Sequence, residues 1–178
     1  WQSDPQNNHR WHRDAGLVLC ALATAEDPNA AFIVSKAREE MDFVTRWLPD
    51  SGTSHESPSY MVFGMSHLTL ASDAADRCLG TKYLKLPFFK NTVRFRMQTI
   101  APGWGDVFGY GDFKGFGDYN SYLFRCVSAN QDSDGQAAVE DFYRARSRVF
   151  KYGWFSIVWY DPLLEGGRFT EPSHAFFG

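Results

Sequence analysis

The sequence predicts an all-α fold, and three observations carry that expectation. Apolar residues recur every three or four positions over most of the first 100 residues and again over 119–152. Asp-Pro and Ser-Pro pairs stand where helices should start, and Gly or Pro-Gly stand where they should stop. No stretch reads as a clear strand.

In chain order, segment 9–26 places Trp11, Ala15, Val18, Leu19 and Leu22 at helical spacing. Asp27-Pro28 reads as an N-cap followed by Pro at the first helical position. The helix behind it carries Ile33, Ala37, Val44 and Leu48, and 49-PDSG-52 ends it. Ser57-Pro58 opens a third helix with the stripe Met61, Met65, Leu68, Ala71, Ala75 and Leu79, closed by Gly80. A fourth runs over 87–100 with Phe89, Val93, Met97 and Ile100 on one face, and Pro102-Gly103 stops it. Residues 102–119 then hold six glycines among Trp104, Phe108, Tyr110, Phe113, Phe116 and Tyr119. This loop is too aromatic for a solvated linker, and long ordered loops in compact domains usually serve function. Helical patterning resumes at 119–129 and 135–152. The apolar run 154–160 reads as a short buried helix, and 161–178 as a linker. Helices with short connections argue antiparallel helix pairs. No fixed-period repeat is present, which excludes TPR or ankyrin arrays.

The formal net charge is −3 and the 18 Lys and Arg are scattered, which argues against a nucleic-acid surface. A polyanionic ligand remains compatible, because one cleft can be basic on an acidic protein. Cys20, Cys78 and Cys126 are far apart and lie in apolar contexts, so they are expected as buried free thiols. No membrane span or signal peptide is recognisable. The chain opens on Trp1, so its natural start is expected upstream.

Three polar clusters are candidates for chemistry. In 7-NNHRWHR-13, Asn8, Trp11 and His12 share one helical face, and His9 and Arg13 form a second pair. An amide and an imidazole at a helix start suit a carboxylate, although Asn8 as a plain N-cap reads equally well. In 54-SHESPSY-60, Glu56 and Tyr60 flank a capped helix start, and packing is the more ordinary role for the Tyr. The third cluster is Trp104, Asp106, Tyr110 and Asp112 in the glycine-rich loop, which also reads as a lid over core. No HExxH, GxSxG elbow or Walker motif is present, and no metal site is expected. Glu56 with Asp106 or Asp112 keeps a glycoside hydrolase open. A non-catalytic helical carbohydrate-binding or scaffold module is the other alternative.

At these residues the sequence resembles the heparinase II/III-like polysaccharide lyases. The pieces are NNHRWHRDAGLVLCALA (7–23), PDSGTSHESPSY (49–60), LGTKYLKLPFFKN (79–91), GYGDF (109–113) and PSHAFFG (172–178), in that order. The resemblance implies an incomplete (α/α) toroid over 1–160, with 161–178 leading toward an absent β-sandwich. It implies β-elimination at a uronic acid of an acidic polysaccharide, in the periplasm or outside the cell. By it, Asn8 and His9 face the uronate carboxylate and Tyr60 is the base or acid. Trp11, Trp104 and Tyr110 stack sugar rings, and His12, Arg13 and Glu56 complete the binding site. A Tyr base requires a nearby cation, for which Arg10 and Arg13 are candidates. The family's Glu-Gly is here Glu56-Ser57, and Phe63 stands where it has a second Tyr. The resemblance also draws a catalytic His, and at times a structural metal, from the β-sandwich. No cofactor is expected in the helical part, and this chain alone is expected to be inactive.

Overall fold

The computed structural model describes residues 3–165 and 167–170. They form seven α-helices and three short 3-10 turns, with two isolated β-bridges and no strand among the described residues. The helices are α1 (Asn8–Ala23), α2 (Ala30–Arg46), α3 (Pro58–Leu79), α4 (Pro87–Gln98), α5 (Tyr122–Asn130), α6 (Ser133–Arg146) and α7 (Gly153–Trp159). None is long and apolar enough to cross a membrane.

Side-chain contacts fix the directions of these helices. Asn8 reaches Glu56, just ahead of α3, while His12 packs on Phe63 and His67, so α1 and α3 run parallel. Arg10 and Arg13, early in α1, both bond Glu40 late in α2, so α2 runs antiparallel to α1. Phe63 meets Tyr119, ahead of α5, and Asp73 meets Arg125 further along, so α5 runs with α3. At the far end of α5, Asn130 bonds Leu84 ahead of α4, whereas Arg96 late in α4 reaches Asn120. Thus α4 opposes α5. Phe124 meets Tyr143 and Val127 lies against Gly135, so α6 opposes α5 as well. Ser121 bonds Ser156 and Phe124 meets Tyr160, which sets α7 parallel to α5. The odd-numbered helices therefore run one way, and the even-numbered helices return the chain.

The apolar stripes read from the sequence form the core. Met61, Met65, Leu68, Ala71 and Ala75 of α3 are buried together with Trp11, Ala15 and Val18 of α1 and Met41 and Val44 of α2. Phe88, Phe89 and Val93 of α4 join Leu123, Val127 and Phe142. Helices α1 and α3 approach closely at Gly64. A methyl added there would sit 2.7 Å from Trp11 Cε3 and 3.0 Å from Asn8 Cβ.

Several local expectations are corrected. Asp27-Pro28 does not open α2. Asp27 instead builds a turn by accepting from the Asn29 N–H, and the helix starts at Ala30. Asn7, not Asn8, is the N-cap of α1. Cys126 is buried, but Cys20 and Cys78 are exposed, because each falls on the outer side of its helix; all three are free thiols. The short helix α7 is only half-buried: Trp159 is covered while Trp154, Ile157 and Val158 face outward. Gly80 does close α3, in the left-handed region at φ 67°. Residues 161–164 are tied to α6 through Gln136, and Arg168 through Asp134. The fragment 172–178 lies outside the described residues.

The Gly64 crossing has a direct test. Gly64→Ala is expected to destabilise the protein by about 1–3 kcal/mol, because neither Trp11 nor the α1 backbone can yield in a packed core. Chemical denaturation measures it as a lowered midpoint at unchanged slope.

Candidate functional site

The parallel odd-numbered helices begin at one end of the molecule. His9 lies in the first turn of α1, Tyr60 in the first turn of α3, Tyr119 just ahead of α5, and Tyr152 at the N-cap of α7. Between Tyr60 and Tyr119 runs a groove of about 270 Å³ lined by Ser59, Tyr60, Phe63, Lys114, Gly117, Asp118, Tyr119 and Lys151. Helix N-termini carry partial positive charge, so this end of the fold favours anions before any side chain is counted.

The glycine-rich loop builds one wall of the groove. Ser57 Oγ donates to the Asp112 carbonyl at 2.9 Å, the Lys114 N–H donates to Ser59 Oγ, and Tyr110 donates its hydroxyl to the Ser54 carbonyl at 2.8 Å. These bonds fold residues 110–119 over the start of α3. From beneath, Arg96 holds the same loop. It is fully buried, and its guanidinium donates to Asn120 Oδ1, Thr99 Oγ1 and the Phe116 carbonyl. None of these partners is a carboxylate, and burial pushes this cation down to about 10.

The groove is cationic and aromatic. Lys114 Nζ lies 5.8 Å from the centroid of the Tyr60 ring, and Lys151 Nζ lies 5.8 Å from that of Tyr119. Lys151 also pairs with Asp118 at 2.5 Å. Phe63 and Tyr119 meet at 5.4 Å, and His12 and His67, whose ring centroids are 3.9 Å apart, both pack on Phe63. His12 Nδ1 lies 2.6 Å from the Asn8 carbonyl, which fixes the proton on Nδ1. Its Nε2 is buried without a hydrogen-bond partner. Burial, followed by the neighbouring imidazoles of His67 and His9, lowers the pKa of His12.

The residues expected from the sequence distribute unevenly over this site. Tyr60 lines the groove, and His12 packs against its Phe63 wall. His9 is exposed on the same helix, within electrostatic reach of His12. Asn8 is turned away from it. Its amide donates to both oxygens of Glu56, at 3.1 and 2.9 Å, while the Asn7 amide and the Asn8 N–H bond the same carboxylate. The carboxylate expected at this helix start is thus supplied by the chain itself, and neither Asn8 nor Glu56 is presented to a ligand. Trp11 is 1% exposed, with its indole N–H on the Pro5 carbonyl, so it is a core residue and no sugar platform. Arg10 and Arg13 pair with Asp14 and Glu40, toward α2 rather than Tyr60. Trp104 stacks on Phe142 of α6, and its carbonyl accepts from Arg146, so it lies over core. Tyr110 is part-exposed, but its hydroxyl is tied to Ser54. Asp106 accepts from the Val107 N–H, and Asp112 enters through its carbonyl alone. No carboxylate pair from Glu56 and this loop faces the groove.

Sequence reasoning missed Lys114, Lys151, Asp118 and His67. The flag on 102–119 as a functional loop was the usable signal for the first and third. Lys151 and His67 carried none, since each becomes a site residue only through the neighbour that folding brings to it. Among the described residues, no three His, Cys, Asp or Glu side chains gather as metal ligands. Comparison of the chain with known protein families, with characterised proteins and with solved structures returns no match.

The His12 environment gives a pH signature. Its pKa lies below the ordinary 6.5 in the folded state, so the unfolded chain takes up the proton first as pH falls. The stability contribution is complete above about pH 6.5 and is lost on acidification below it. Thermal midpoints measured from pH 7.5 to 5 are expected to fall on the acid side. His12→Phe, which keeps a ring on Phe63, is expected to flatten that fall.

Proposed function

We propose that this chain forms an arc of an (α/α) toroid, and that its groove binds an acidic, uronate-containing polysaccharide for cleavage by β-elimination, with Tyr60 as the proton-transfer residue. The observation that carries the reading is the placement of Tyr60 in a groove walled by Lys114 and Lys151 at the common starts of the parallel helices. The alternation of odd helices running one way and even helices returning supports the toroid.

Elimination removes the proton at C5, which is α to the uronate carboxylate. Negative charge then develops on that carboxylate, and the site must stabilise it. With the Asn8 amide engaged by Glu56, this task passes to the Lys114 ammonium, with His9 at the α1 edge. The Tyr60 side-chain oxygen takes the C5 proton. The electrons of the C–H bond form the C4–C5 double bond and the C4–O bond breaks. The proton then passes to the departing glycosidic oxygen. The ring faces of Phe63 and Tyr119 fit the apolar faces of sugars. Such a substrate belongs to the periplasm or the cell exterior.

Tyr60→Phe in the intact protein tests the chemistry. Elimination, followed by absorbance of the unsaturated product on uronate polymers, is expected to fall by about 10²–10⁴-fold. Oligouronate affinity is expected to stay unchanged, because the ring remains. Wild-type turnover by the variant would remove Tyr60 from the reaction.

A further inference from the structure

The groove does not end at Tyr119. The ring of Tyr152 meets Tyr119 at 5.4 Å. Next to it, a smaller cleft is lined by His67, Tyr119, Lys151, Tyr152, Phe155 and Trp159, among others. Phe63, Tyr119 and Tyr152 therefore form an unbroken aromatic ladder with Lys151 on its flank.

Tyr152 itself is anomalous. Its backbone lies at φ 55°, ψ 49°, the left-handed region that costs a bulky L-residue and that Gly or Asn adopts far more readily. It occupies the N-cap of α7 yet makes no side-chain cap bond. Tyr152 is 57% exposed, so core burial does not offset the conformation. A strained position that holds a solvent-facing aromatic ring, where Gly would be easier, points to a role for the ring.

We infer that Tyr152 and Lys151 form a distal subsite for a further acidic sugar of the bound chain, beyond the sugar at Tyr60. The inference rests on the glycan-binding reading above and adds a direction and a length to it. The chain runs from the start of α3, past the start of α5, to the start of α7. Ring-to-ring steps of 5.4 Å from Phe63 to Tyr119 and of 5.4 Å from Tyr119 to Tyr152 carry the ladder past the sugar held at Tyr60. Tyr152 stacks the sugar ring, and Lys151, steered by Asp118, meets its carboxylate. The substrate class this selects is a glycan charged on successive or near-successive residues.

Calorimetric titration of the full chain with unsubstituted oligouronates, from disaccharide to hexasaccharide, tests it. Wild-type affinity is expected to rise with length and then level off. Tyr152→Gly is expected to lose about tenfold in affinity for the long oligomers and less for the disaccharide, with its thermal midpoint unchanged or higher. Tyr152→Phe is expected to keep wild-type affinity at every length. Lys151→Gln is expected to weaken long oligomers and to reduce the salt dependence of their binding. Length-independent binding by the wild type, or full affinity of Tyr152→Gly for the hexasaccharide, overturns the subsite while leaving the Tyr60 groove intact. Absence of binding at every length overturns both readings.

Discussion

The carboxylate of Glu56 at the first turn of α1 is the contact on which the arrangement of the site depends. It receives the Asn7 amide, the Asn8 amide and the Asn8 N–H, so it satisfies donors that a helix start leaves open and places negative charge at the positive end of the helix. Because Glu56 immediately precedes the Ser57 cap of α3, the same contact puts the starts of α1 and α3 side by side. Gly64 then lets the two helices cross with Trp11 and Asn8 against its backbone. With those starts aligned, one end of the fold collects the loops that carry Tyr60, Lys114, Tyr119 and Lys151.

The charge of the groove is built locally, against the balance of the whole chain. The formal net charge is −3, yet two ammonium groups and one carboxylate line the groove. The buried Arg96 adds a further fixed cation beneath the same loop, bonded only to neutral oxygens. A low-dielectric floor strengthens such fields. Other charges serve the scaffold. Asp73 collects Arg77, Arg125 and the Trp159 indole, which ties α3 to α5 and α7. Glu40 and Asp14 hold Arg10 and Arg13 between α1 and α2.

Helix existence was legible in the sequence because each stripe, such as Met61, Met65 and Leu68, is buried where its period places it. Helix starts were less so. Asp27-Pro28 has the composition of a cap, but Asp27 closes a turn three residues before the helix. The candidate site was half legible. Tyr60 and the glycine-rich loop were found, since a capped helix start and an aromatic, glycine-dense segment are local signals. Asn8, Glu56 and Trp11 were placed at the ligand because a polar helix start looks alike whether its partner is a substrate or the chain itself. Only the fold shows that Glu56 is that partner. Lys151 and His67 were invisible for the converse reason, since their meaning comes from Tyr119 and His12, distant in sequence.

The central claim is that an acidic glycan lies along the starts of α3, α5 and α7. Mapping NMR chemical shifts of the chain during titration with an oligouronate tests it most directly. The account expects the largest shifts at Tyr60, Lys114, Tyr119, Lys151 and Tyr152, with α2 and the outer face of α6 unmoved. Shifts confined to the exposed Ile157 and Val158 face, or spread evenly over the surface, would contradict it.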